Sequence, residues 1–337
     1  MFRWRSQVSI YLTSFVFIHA GYIKCILLLI KRKSLMRVFS TLESGIFLPN
    51  MERGGEDEVV LIKKWIQNLN RFTITAVPLP FFLIVGSLLS WYYDDTKKWP
   101  YGIFWEIINF EVSLVCQTVI YTIFGNAYFA VEYIYIVLLS HIYFHLINLQ
   151  NCIKNTMQFV SDDVLKNEVG CIASDTDDIK WKYLKKRLKE IVNYHNALFD
   201  ASKDIDDAFN LCYLVVLVCV GVLMCLLLSE INQSSSLSKY FWVELSEMLL
   251  LLIAVYIVCY YCTLVMIQSE QIANSCYELE IVGGDIRFQK ALLMIIQRSQ
   301  KPIVFTAGKF VPLTVITALG VARATYSYYT LMRRMYI

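Results

Sequence analysis

The sequence predicts an all-α fold, a polytopic membrane helical bundle with six spans. Of the 337 residues, 57% are hydrophobic and only 18% are charged, and the mean hydropathy is +0.50. Soluble domains average about 45–50% apolar and about 25% charged residues. The apolar residues are also grouped in blocks, each long enough to form the helix of ~20 residues that crosses a bilayer.

The predicted spans follow one another along the whole chain and form a single membrane domain, residues 1–337. They are residues 8–30, 72–91, 113–139, 208–229, 240–267 and 303–331. The first block follows Arg3 and Arg5, as the apolar core of a signal peptide would. Because such a core has only ~7–15 residues and ends at a small-residue cleavage site, we predict a span here. A signal peptide, a hairpin and an interfacial helix remain as alternatives.

The distribution of basic residues predicts the orientation of the spans. Lys and Arg are concentrated in the connections 31–71, 140–207 and 268–302, whereas the alternate connections hold few basic residues. Because basic loops remain in the cytoplasm, both chain ends are expected outside. The sequon at Asn232 falls in a predicted outer loop, which makes Asn232 a glycosylation candidate and agrees with this orientation.

Two of the basic connections are expected to be helical and to project from the membrane. Apolar residues continue at helical spacing beyond the third span as far as Ile153, and an amphipathic seam runs from Trp181 to Leu198. The acidic stretch between these two segments has the composition of a mobile loop. We therefore expect a helical hairpin in residues 140–207 and another short helix in residues 268–302.

The sequence contains no motif of enzyme or metal chemistry. It has no glycine-rich phosphate loop and no His-Glu-x-x-His, so we predict that the chain is not an enzyme. His141 and His145 are spaced to share a metal but have no carboxylate in register, and Cys259 and Cys262 have no second pair. We predict no metal, no cofactor and, from a net charge of only +3, no nucleic-acid partner.

Charged residues inside the predicted spans are costly and are usually paired or functional. Lys24 is close enough to the end of its span for its ammonium group to reach the membrane surface. Glu132 lies deeper, and we expect it to face the bundle or a wet cavity. Lys309 and Arg323 fall on one polar face of the last span.

The opposite face of the last span is small and apolar and ends in one aromatic and one basic residue. It contains Val311, Val315, Ala318, Ala322, Tyr329 and Arg333. Such a face allows close packing against another helix, or it forms the wall of a pore. The residues alone leave both interpretations open.

Three segments of the chain resemble one family. Residues 298–314, RSQKPIVFTAGKFVPLT, and residues 325–334, TYSYYTLMRR, resemble the C-terminal end of insect odorant receptors. Residues 188–199, LKEIVNYHNALF, resemble the segment before the fifth span of that family. The family has seven spans, so the predicted spans match its second to seventh and the first is expected to be missing. Gly283 and Gly284 depart from a site where the family often has an aromatic residue.

This resemblance implies the odorant-binding tuning subunit of a heteromeric ligand-gated cation channel in the plasma membrane of olfactory neurons. Its partners would be a small volatile organic ligand, a shared co-receptor subunit in a tetramer, and membrane lipid. The C-terminus would be extracellular. The implied pore and gate residues are Tyr329, Arg333, Ala322 and Ala318. The implied subunit anchor is the seam of the projecting helices, at Leu184, Leu188, Ile191 and Leu198.

The resemblance also implies an odorant pocket in the outer half of the bundle. The residues expected at this level are Tyr11, Phe15, Phe82, Ser87, Trp91, Thr118, Tyr121, Leu223, Leu226 and Met248. Aromatic walls with a few hydroxyl groups suit a small and mostly apolar ligand. Ordinary packing within a bundle would use the same residue types.

Alternative functions remain open on sequence grounds. A gustatory receptor channel subunit would end in Thr-Tyr, five apolar residues and Gln-Phe; Thr325 and Tyr326 fit this pattern, whereas Met332 and Arg333 do not. A truncated, non-functional receptor would follow from the missing first span. A transporter or membrane enzyme would show an inverted repeat or helices interrupted by Gly or Pro in mid-span.

Overall fold

The structure, a computed structural model, describes residues 2–78, 81–82, 85, 110–167, 176–233, 239–279 and 285–335. These residues are nearly all helical, which confirms the predicted all-α class. The helices are α1 (Phe2–Ile30), α2 (Arg32–Leu42), α3 (Met51–Ala76), α4 (Phe110–Lys154), α5 (Thr156–Asn167), α6 (Thr176–Gln233), α7 (Lys239–Tyr277), α8 (Ile286–Ser299) and α9 (Val315–Met335). Two short antiparallel strands, β1 (Thr306–Ala307) and β2 (Val311–Pro312), lie between α8 and α9.

Among the described residues, four helices are long and apolar enough to cross a membrane. Their apolar stretches are Tyr11–Ile30 in α1, Val115–Lys154 in α4, Lys180–Ile231 in α6 and Phe241–Tyr277 in α7. These stretches include most of the predicted spans 8–30, 113–139, 208–229 and 240–267. The predicted span 72–91 begins within α3, and half of it lies outside the described residues.

Helices α4 and α6 are much longer than a bilayer is thick. They contain 45 and 58 residues. Their lengths are therefore about 68 Å and about 87 Å, against ~30 Å for the hydrocarbon core. Their packing continues beyond the predicted spans, where Leu146 and Leu149 on α4 and Leu198 and Ile205 on α6 are fully buried. This confirms the predicted helical hairpin.

The connection between α2 and α3 is attached to this hairpin through Arg53. The Arg53 guanidinium lies over the ring of Tyr194 at 4.3 Å, pairs with Glu58, and donates a 3.0 Å hydrogen bond to the carbonyl of Leu48. Burial would lower the pKa of Arg53, but the hydrogen bond and the charge of Glu58 outweigh it and leave the pKa raised. Phe47, which is 4% exposed, packs beside His145 with the ring centroids 5.1 Å apart.

The prediction of one continuous span over residues 303–331 is wrong at its first part. The helix begins only at Val315, and the preceding residues form a hairpin in which Thr306 lies opposite Pro312. Proline has no N–H to donate to a helix, and Gly308 and Lys309 adopt the left-handed conformation, with φ of 62° and 68°. Lys309 therefore lies in a turn and not on the polar face of a transmembrane helix.

Candidate ligand site and pore helix

Three apolar helices, α1, α4 and α6, meet along one interface. The side of α1 that faces this interface carries small or polar residues, and Ser14, Ala20 and Lys24 are each at most 4% exposed. At Gly21 a Cβ atom would lie 2.8 Å from the carbonyl oxygen of Phe124 on α4, so a larger residue would push the helices apart. Small residues at such points allow helix backbones in a membrane to approach closely.

Aromatic and polar side chains line the part of this interface nearest the start of α1. Thr13 on α1 donates a 2.8 Å hydrogen bond to the carboxylate of Glu230 on α6. One turn further along α1, the ring of Phe17 stacks on Tyr121 of α4 with the centroids 6.0 Å apart. The interface therefore combines aromatic surface with hydrogen-bonding groups.

Deeper along the same interface lies a buried ion pair. Lys24 on α1 and Glu132 on α4 have side chains that are 1% and 7% exposed, and Nζ lies 2.5 Å from Oε1. The same ammonium group lies 3.1 Å from the centroid of the Tyr128 ring. The hydroxyl of Tyr213 on α6 donates to Oε2, the other oxygen of Glu132. Lys24, expected to reach the membrane surface, is instead paired inside the bundle.

The residues predicted for the odorant pocket are not all on this interface. Leu223 is 1% exposed, and Thr118, Tyr121, Leu226 and Met248 are half-buried. Three others are exposed on the outer surface of the single chain, with exposed fractions of 41%, 44% and 66% for Tyr11, Phe15 and Phe82. Ser87 and Trp91 lie outside the described residues.

The sequence interpretation missed Thr13, Phe17 and Glu230, which the structure brings to the interface. The signal that could have found them is the four-residue spacing of Thr13 and Phe17, continued by Gly21. Gly21, a small residue, and the charged Lys24 one turn later mark the face of α1 that must pack inside the protein. Tyr11 and Phe15 belong to a different face of the same helix.

The apolar seam predicted as the subunit anchor packs within the chain. Leu184, Ile191 and Leu198 are at most 8% exposed, and Leu188, which is half-buried, packs against the same core. Exposed apolar side chains lie instead on α8, which contacts this part of α6 through Arg287 over Trp181. Ile286, Leu293 and Met294 on α8 are each more than 60% exposed. These three residues share one helical face.

The hairpin before α9 is held on α6. The carboxylate of Asp206 accepts hydrogen bonds from the Thr306 backbone N–H at 2.7 Å and from Lys309 Nζ at 2.6 Å. The Gly308 backbone N–H donates to the carbonyl of Asn210 at 2.9 Å. A Cβ atom at Gly308 would lie 2.7 Å from the Phe310 ring and 2.8 Å from Leu214, so glycine fits both the φ and the space.

Helix α9 contains the predicted pore residues. Ala318 is 9% exposed, Ala322 and Tyr329 are half-buried, and they share a face with Thr325, which is 5% exposed. Other sides of α9 are exposed on the single chain, with Ile316 at 81% and Tyr326 at 64%. Arg333 lies in the last turn of α9, and Asn232, expected in a loop, is in the last turn of α6.

The two histidines that could share a metal are hydrogen-bonded to one another. Their Nε2 atoms are 3.2 Å apart, and His145 Nδ1 lies 2.5 Å from the Tyr194 hydroxyl. Burial, with His141 and Arg53 nearby, lowers the pKa of His145. Within the described residues no cluster of three or more His, Cys, Asp or Glu side chains could hold a metal ion.

Comparison with solved structures and with known sequences relates the chain to insect chemoreceptors. The olfactory receptor OR5 of Machilis hrabei superposes with a TM-score of 0.80 at 15% identity, over 97% of this chain and 81% of that one. The structure of OR5 in complex with eugenol gives a TM-score of 0.74 over 98% and 82%. At such low identity, these superpositions show a shared fold.

Related sequences point to the same group of proteins. Odorant receptor 85c of Drosophila melanogaster is 22% identical over 294 residues, which are 84% of this chain and 72% of that relative. Odorant receptor Or2 of Anopheles gambiae is 26% identical over 149 residues, 44% of this chain and 39% of the relative. The profile of the family described as 7tm odorant receptor, a family of receptors and not of enzymes, matches residues 6–326. Because this match covers nearly the whole sequence, the chain belongs to the 7tm odorant receptor family.

Proposed function

We propose that the chain is the odorant-binding tuning subunit of a ligand-gated cation channel. The observation that carries the proposal is membership of the odorant receptor family over residues 6–326. The interface of α1, α4 and α6 supports it, because aromatic rings and a few polar groups lie together between apolar helices. The gustatory alternative has no comparable support, since the matching family is that of odorant receptors.

The proposed ligand is a small, volatile and mostly apolar molecule bound near the start of α1. Phe17 and Tyr121 would supply the aromatic walls of the site and Thr13 a hydroxyl group. Thr118 on α4 and the buried Leu223 on α6 are further candidates. Eugenol, the ligand in the Machilis hrabei OR5 complex, has this chemistry: one aromatic ring with small polar substituents. Affinity would come from burial of ligand surface, and orientation from a hydroxyl contact.

We place the pore along α9. Its base is fixed to α6 through the hairpin, whereas Tyr329, four turns further on, is only half-buried. In an assembly of four subunits a ring of large side chains at Tyr329 would exclude water and stop ions until the helices move apart. Arg333 would then lie at the extracellular mouth, in a plasma membrane where the basic connections face the cytoplasm.

The proposed tetramer contains this subunit and a shared co-receptor. Because Leu184, Ile191 and Leu198 are buried inside the subunit, their side chains are engaged before assembly. The exposed apolar face of α8, formed by Ile286 and Leu293 with Met294, offers a contact outside the predicted spans. Apolar surface in that location is typical of a protein–protein interface.

The decisive experiment is a whole-cell current recording from three sets of cells. One set expresses this chain alone, one expresses it together with a co-receptor subunit, and one expresses the co-receptor alone. A panel of volatile aromatic and aliphatic compounds is applied in each case. We expect cation currents that depend on ligand only when both subunits are present. Surface-localised protein without any such current would contradict the proposal and favour a non-functional receptor.

A further inference from the structure

We propose that Lys24, Glu132 and Tyr213 form a joint that transmits movement of α6 from the ligand site to the base of the pore helix. These three residues are called the buried joint below. The inference rests on the proposed function, because it names the path between the ligand site and the pore of that function.

The buried joint ties three helices to a single carboxylate. One oxygen of Glu132 on α4 is paired with Lys24 of α1 at 2.5 Å, and the other accepts a hydrogen bond from Tyr213 of α6. The Tyr128 ring also contacts the ammonium group of Lys24. At this level, therefore, the three helices are connected by directional, charge-assisted contacts, which resist separation more than apolar packing does.

From the buried joint, contacts lead without a gap to the hairpin before α9. The ring of Tyr213 packs on Tyr135 with centroids 4.4 Å apart, and Tyr135 packs on Phe209 at 4.7 Å. Tyr135 also meets the edge of Phe305, which is 1% exposed and directly precedes the hairpin strand β1. The next turn of α6 holds the hairpin through Asp206.

The position of the joint along α6 suits a pivot. Tyr213 precedes Glu230, the partner of Thr13 at the ligand level, by about 25 Å of helix, and follows Asp206, at the hairpin, by about 10 Å. If ligand binding tilts the part of α6 that follows Tyr213, the part that precedes Tyr213 would move in the opposite direction, together with the hairpin bound to it. The far end of the hairpin is fixed to α9, whose Val315 N–H donates to Thr263 of α7 at 3.1 Å.

Stability alone does not account for an ion pair at this place. Burying two charges costs more than burying apolar side chains of the same size, and replacing such a pair by apolar residues is often neutral or stabilising. Close packing against small residues, as at Gly21, also holds membrane helices together without any charge. What the pair adds is a directional connection at one defined point, which a transmitting joint needs.

The test replaces the pair by apolar residues of similar size, Lys24→Met together with Glu132→Leu, in the full-length chain with its co-receptor. We expect surface expression close to that of the wild type, because no charge is left unpaired, and a melting temperature lowered only by the loss of the acceptor for the Tyr213 hydroxyl. The ligand concentration for half-maximal current should rise by about fivefold or more as the coupling is lost. Tyr213→Phe, which retains the ring against Tyr135, should also raise the ligand concentration for half-maximal current.

The control is Thr122→Val on α4, whose hydroxyl donates only to the carbonyl of Thr118 in its own helix, at 2.8 Å. It should leave the dose–response curve unchanged. If the double variant and Tyr213→Phe both give the dose–response curve of the wild type, the inference of a transmitting joint is wrong, and the proposed function is unaffected.

If the wild-type protein itself gives no ligand-dependent current, the proposed function fails, and amide hydrogen exchange decides the inference. Faster exchange of the Thr306 and Gly308 amides in the double variant would support a connection between the joint and the hairpin. Unchanged exchange at those amides would overturn it. This measurement needs only the purified chain.

Discussion

Neighbouring carboxylates on α6 provide a sharp prediction about what holds the start of α9 in place. Asp206 and Asp207 both contact Lys309, at 2.6 Å and 2.5 Å, but their side chains are 13% and 43% exposed. Only Asp206 also accepts hydrogen bonds from the backbone and hydroxyl of Thr306, at 2.7 Å and 3.1 Å. The two substitutions Asp206→Ala and Asp207→Ala therefore remove the same kind of charge from very different surroundings.

The expected costs follow from these contacts. A hydrogen bond to a charged acceptor contributes about 1.5–3 kcal/mol, and a buried donor left unpaired is costly. An exposed ion pair such as Lys309–Asp207 contributes at most about 1 kcal/mol. We therefore expect Asp206→Ala to destabilise the closed hairpin by about 2–4 kcal/mol, and Asp207→Ala by about 1 kcal/mol or less.

The assay is amide hydrogen exchange at Thr306 and Gly308 in the purified protein. Because 1.4 kcal/mol corresponds to a tenfold change in an equilibrium constant, exchange in Asp206→Ala should be about 30-fold faster or more. Asp207→Ala serves as the matched control and should exchange less than about tenfold faster than the wild type. Equal effects of the two substitutions would refute the reasoning, since charge alone, and not the hydrogen bond to Thr306, would then hold the hairpin.

Four further predictions concern other parts of the chain. A protease-accessible tag at the C-terminus should be cleaved on intact cells; cleavage only after permeabilisation would contradict the orientation. Leu188→Asp with Ile191→Asp should unfold the subunit itself, since buried unpaired charge costs about 3–5 kcal/mol, and a normal thermal melt would show that the seam is solvated. Burial, then the charge of Arg298, lowers the pKa of His195 to about 4. The unfolded chain therefore takes up a proton at His195 below pH ~6.5, and stability is lost as the pH falls towards 4. In His195→Gln, the free energy of unfolding measured by denaturant titration should fall by up to about 3 kcal/mol less between pH 6.5 and 4 than in the wild type. The same pH dependence of unfolding in both proteins would contradict this prediction. Tyr329→Ala should raise the basal current whereas Tyr328→Ala, on an exposed side of α9, should not, and the reverse result would show that the helical phase is wrong.

The sequence was sufficient for features that depend on the composition and period of one segment at a time. The apolar blocks at 8–30, 113–139, 208–229 and 240–267 predicted four long helices, because the length of a span is set by the thickness of the bilayer. The spacing of Leu184, Leu188 and the residues after them predicted the helix that extends α6. The segments 298–314 and 325–334 were specific enough to indicate the family. None of these inferences requires knowledge of which helices are neighbours.

Only the tertiary structure decided how these segments meet. The buried side of α1 is set by its contacts with α4 and α6, and it includes Phe17 and Lys24 but not Tyr11 or Phe15. Lys24 and Glu132 are 108 residues apart in sequence, and no local pattern pairs them. The hairpin before α9 depends equally on a distant partner, Asp206, because its own strands contribute only two short segments. Helix formation is governed by local hydrogen bonds and hydrophobic period, whereas the facing of each helix is governed by the shape and charge of the helices around it.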